Sequence, residues 1–108
     1  MSKTINIGLV PFSCVKLAEA DFKDRAAVYV VLCMKDNNEW TVLDAGQSCE
    51  VNASADAHPR NAMWKTHCPA GNIWIGTYPM PTAGYSKADR FAMERKLRRQ
   101  YKPPCGKR

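Results

Sequence analysis

Eight consecutive apolar residues, Ala27 to Met34 (AVYVVLCM), constrain this chain more than any other feature. The run is rich in β-branched side chains and far too short for a membrane span, so it reads as a buried strand. Lys35-Asp36-Asn37-Asn38 follows it. Asp and Asn tolerate left-handed backbone and bond locally, which is turn chemistry. Residues 40–45 (WTVLDA) return as a second strand, and the two make a hairpin.

Gly46 ends that second strand, and Ser48 is placed to cap a helix over the Ala-rich residues 50–57, which Pro59 limits. A short helix is expected around Met63 and Trp64, over residues 61–67. Cys68-Pro69-Ala70-Gly71 is a turn, and residues 72–78 (NIWIGTY) read as a third strand. After a loop with Pro79, Pro81 and Gly84, Ser86 caps a last helix over residues 86–101, with Asp89 three positions on and Pro103-Pro104 stopping it. On that helix Met93, Leu97 and Tyr101 form the core stripe, and Arg95, Arg98 and Arg99 cover the adjoining face. Glu94 sits on the border. Residues 1–24 alternate only weakly and read as an N-terminal arm or an extra strand. The expected architecture is one α/β domain over residues 1–108, with a small three-stranded antiparallel sheet flanked by helices and its core in residues 26–106.

Charge is unevenly placed. The net charge is +6, but from Lys87 onward nine Lys and Arg face only Asp89 and Glu94, while the rest of the chain is close to neutral. Such a basic segment suits a polyanion, and it equally suits a solvated helix face. The early apolar stretch, residues 5–12, is short, interrupted and without a cleavage site, and no run reaches membrane-spanning length. A soluble cytoplasmic protein without a membrane partner is expected. Five cysteines without CxxC or framework spacing suggest reduced thiols.

Ala27-Val28-Tyr29, Asp44-Ala45-Gly46, the continuation Gly46-Gln47-Ser48-Cys49-Glu50, His58 and Glu94 in the late helix together resemble the GIY-YIG nuclease superfamily over residues 26–106. The tail YKPPCG is similar to the closing segment of small bacterial members. The resemblance implies a metal-dependent endonuclease acting on DNA. Tyr29 would position or activate water with help from His58, and Glu94 would hold a single Mg²⁺ or Mn²⁺ ion that offsets phosphate charge. The chain departs from the pattern at two places. Asp44 replaces a second tyrosine, putting a carboxylate beside the expected phosphate or offering a second metal ligand. Ser54 stands where an arginine is expected, and serine supplies neither its charge nor its bidentate grip; Arg60 is the candidate replacement. Losing one such donor typically costs about 10²–10³ in rate, so the implied enzyme is weakened or inactive.

Each residue also has a plainer role. Tyr29 reads as a core tyrosine, and Glu94 pairs with Arg98 at i,i+4 in the favourable order. His58 suits a helix end, and the three tryptophans suit the core. The spacing of His58, His67 and Cys68 fits no common structural zinc site. The alternative to the nuclease is therefore a non-catalytic nucleic-acid-binding or protein-interaction module. In it Arg95, Arg98, Arg99 and Lys102 would contact phosphates, of DNA more than RNA, with salt-sensitive affinity.

Overall fold

The computed structural model describes residues 3–17, 26–37, 39–48, 61–69 and 71–105. Its elements are β1 (Lys3–Ile7), β2 (Val10–Lys16), β3 (Ala27–Met34), β4 (Trp40–Ser48), α1 (Asn61–Thr66), β5 (Ile73–Pro79) and α2 (Lys87–Tyr101). The strands form one antiparallel sheet in the order β1-β2-β5-β3-β4. The expected three-stranded sheet is therefore corrected to five strands. The β3–β4 hairpin and β5 are the expected strands, and β1–β2 adds a hairpin on the far side of β5. The helix expected over residues 50–57 lies outside the described residues.

The N-terminal hairpin escapes a sequence reading because its turn is Gly8-Leu9. Both residues have positive φ, 60° and 66°, as a two-residue turn with the strands' own twist requires. Glycine adopts this backbone freely and leucine does not. Leu9 is nevertheless 98% exposed, so no burial offsets the strain. Leu9→Asn is expected to raise stability by about 0.5–1 kcal/mol. In thermal unfolding that would appear as a midpoint several degrees higher, and an unchanged or lower midpoint would show that the leucine is stabilised in some other way.

Both faces of the sheet are covered. On one, Val28, Val30 and Leu32 of β3 pack with Phe12, Cys14, Val42, Ala45, Trp74 and Leu97. On the other, Tyr29 and Val31 pack with Leu43, Trp64, Ile73, Ile75 and Cys105. Burial pushes the Cys14 thiol up to about 11, so it is neutral near pH 7 and serves as a small apolar core group.

Cys33 and Cys68 are joined by a disulfide with a Cα–Cα distance of 5.6 Å. This corrects the expectation of reduced thiols. Their spacing resembles no framework because the register alone brings them together: Cys33 pairs with Ile73, and Cys68 lies just before that strand.

The last helix forms as its ends dictate. Ser86 Oγ accepts from Asp89 N at 3.1 Å, and Ser86 N donates to Asp89 Oδ2 at 2.9 Å, a capping box. Lys102 closes the C-terminus in left-handed backbone, its N–H donating to Arg98 O at 2.9 Å. Leu97 is buried in the first core cluster, with Met93 and Tyr101 packed against it. The β1–β2 turn meets this helix where Gly8 N donates to Tyr101 Oη at 2.8 Å. Among the described residues, no helix is long and apolar enough to cross a membrane.

Candidate functional site

The site begins with a break in strand alternation. Along β3 and β4, Val31 pairs with Asp44 but Leu32 pairs with Val42, so Leu43 is an extra residue. Alternation would put Asp44 on the face of Val42. The bulge instead turns Leu43 and Asp44 to the face occupied by Trp64 of α1.

There the Asp44 carboxylate is fully buried and heavily bonded. Oδ1 accepts from Ala45 N at 2.8 Å and from Arg98 Nη2 at 2.7 Å, and Oδ2 accepts from Trp64 Nε1 at 2.8 Å. Arg98 Nε also donates to Glu94 Oε2, one helical turn back, at 3.3 Å. Its Nη1 donates to Cys105 O at 3.1 Å, and its Nη2 donates to Ala45 O as well. Glu94 is fully buried too. One guanidinium is thus held between two carboxylates and two backbone carbonyls. Its planar fork of donors makes that possible, as a lysine ammonium would not.

The same arrangement closes the edge of β4. Arg98 bonds the Ala45 carbonyl, and Cys105 N donates to Leu43 O at 3.0 Å. The segment after α2 therefore covers the bulged part of this edge, which strand pairing would otherwise extend.

Tyr29 faces the same side of the sheet as Asp44. It pairs with Gly46, and a Cβ at Gly46 would lie only 2.5 Å from the Tyr29 hydroxyl oxygen. The ring thus lies over a position where only glycine leaves room. The phenol is in the core, with the residue 4% exposed.

The structure brings Asp44, Glu94 and Arg98 into contact and places Tyr29 on the same sheet face as Asp44. His58, Arg60 and Ser54 lie outside the described residues. Among the described residues, no group of three or more His, Cys, Asp and Glu is arranged to hold a metal ion. Arg98 lies between the two carboxylates, bonded to Asp44 Oδ1 and to Glu94 Oε2. Cys68, bonded to Cys33, has no thiolate to offer a metal.

The basic side chains divide into two groups. Arg98, expected among the phosphate contacts, turns inward, its side chain 14% exposed. Arg90 also turns inward, Nη1 donating to Met80 O at 3.1 Å and Nε to Gln47 Oε1 at 3.4 Å. Arg95, Lys96, Arg99 and Lys102 are exposed. Sequence reasoning missed Lys96, although its i,i+3 spacing from Arg99 places both on one face. It also missed Trp64 as the partner of Asp44, a contact between residues twenty positions apart that carries no local signal.

The chain matches no family model, no curated protein and no solved structure.

Proposed function

We propose that this protein is a non-catalytic nucleic-acid-binding module whose contact surface is the outer face of α2. Charge segregation on that helix supports the reading. Glu94 is withdrawn into the core against Arg98, and Asp89 is tied to the N-cap. Arg95, Lys96, Arg99 and Lys102 remain outside. From Arg95 to Lys102 the stripe runs about 10 Å along the helix, enough for a few phosphates. The buried positions of Tyr29, Asp44 and Glu94 favour binding over cleavage, because a phosphodiester does not reach them in this conformation.

Binding to a labelled DNA oligonucleotide is expected to weaken steeply with salt. In the double variant Arg95→Ala/Arg99→Ala, the log–log slope should fall by about 0.7–0.9 for each phosphate that is no longer neutralised. Both side chains are exposed, so folding stability should change by less than about 0.5 kcal/mol per site. Binding that is absent, or indifferent to salt and to both substitutions, would overturn the proposal. Cleavage that requires Mg²⁺ or Mn²⁺ and disappears in Glu94→Gln would return the site to the nuclease reading.

A further inference from the structure

Beside the basic stripe lies an open groove of about 450 Å³ between α2 and the segment before it, lined by Met80, Tyr85, Asp89, Ala92, Met93 and Lys96. Its volume falls within the usual range for small-molecule sites. Asp89, Ala92, Met93 and Lys96 follow i, i+3, i+4, i+7 spacing, which makes them one face of the helix. Lys96 belongs to both surfaces: it lines the groove and stands one turn from Arg99.

The opposite wall is braced. Arg90 Nη1 holds the Met80 carbonyl, and Met80 N donates to Ala26 O at 3.0 Å. Gly84 N and Tyr85 N both donate to Pro81 O, at 3.0 and 2.9 Å. The Ser86–Asp89 capping box then fixes the start of the helix. On this wall Tyr85 is 39% exposed, one of the few large hydrophobic side chains so exposed among the described residues. An added Cβ at Gly84 would meet nothing within 4 Å, so the groove is open beside Tyr85.

Resting on the nucleic-acid reading above, we infer that this groove receives an unpaired base of a single-stranded nucleic acid, stacked on Tyr85, while its phosphates run along Lys96, Arg99 and Arg95. The charges select this orientation. Asp89 at the groove repels a phosphate but tolerates the N–H donors of a base edge. Lys96 stands at the edge of the groove and Arg95 and Arg99 lie beyond its lining, on the side where the backbone must pass. Met80 and Met93 offer polarizable, adaptable surface to any base, and stacking on an aromatic ring is indifferent to sequence. A base in a duplex is already paired and stacked, so a duplex engages the stripe alone.

Fluorescence anisotropy with a twelve-nucleotide single-stranded DNA, the same strand as RNA, and the DNA duplex tests this at fixed salt. Tyr85→Ala is expected to weaken single-strand binding about ten-fold, leave duplex binding unchanged, and be rescued by Tyr85→Phe. If single strands bind with normal salt dependence but Tyr85→Ala costs nothing, or costs the duplex equally, the inference is wrong and the basic-face reading stands. If the unmodified protein binds none of the three, the reading itself fails, and the inference with it. Preference for the DNA or the RNA strand would name the natural ligand class.

Discussion

Arg98→Met is expected to destabilise the fold by about 3–5 kcal/mol, a large part of the stability of a domain this size. The cost comes mainly from what stays behind. Asp44 and Glu94 are fully buried, and Arg98 is bonded to both. Removing it takes a bonded cation from two buried carboxylates and donors from the Ala45 and Cys105 carbonyls. Urea denaturation would read the loss as a lower midpoint. The control is a triple variant, Asp44→Leu/Glu94→Leu/Arg98→Met, in which both carboxylates are removed together with the arginine. Apolar replacement of a whole buried ionic cluster is often neutral, so the triple variant should be more stable than the single one. A single variant as stable as the unmodified protein would mean that the cluster is solvated in solution.

Breaking the Cys33–Cys68 bond is expected to cost about 4 kcal/mol, from the entropy regained when a loop with a separation of 35 residues is released in the unfolded chain. The bond secures the segment after α1 to the middle of the sheet. A helix of six residues does not persist by its own hydrogen bonds. Its Trp64 also holds Asp44, so loosening α1 exposes the ionic cluster from one side. Cys33→Ala/Cys68→Ala, compared with the oxidised protein in urea, measures the loss. Thiol titration of the unfolded protein checks the premise: of five cysteines, one disulfide leaves three that react. Five reactive thiols before any reductant would remove the bond from the account.

Ala27–Met34 and the strand after it were legible because β-branched residues flank an Asp-Asn turn, and α2 because Ser86, Asp89 and Pro103 mark both ends. Strand β4 runs on to Ser48, past the expected stop at Gly46. That glycine is a packing solution to the Tyr29 ring opposite it, not a terminator. The Glu94–Arg98 pair follows from helical spacing alone. Its third member does not, since Asp44 is fifty-four residues from Arg98 and faces it only through the bulge. A bulge has no residue signature here, and alternation read through it gives the wrong face. The Gly8-Leu9 turn hides for a similar reason: leucine is not a residue that announces left-handed backbone.

The strand order has a consequence for how this molecule comes into being. β1–β2 and β3–β4 are local hairpins, each able to form from neighbouring residues, but β5 lies between them and is synthesised after both. Until residue 79 has emerged, the two halves share no strand and each presents an unpaired side to the solvent. Assembly is therefore an insertion, with the last strand threading between preformed partners. Such non-local pairing is slow, and it leaves newly made chains open to pairing with one another.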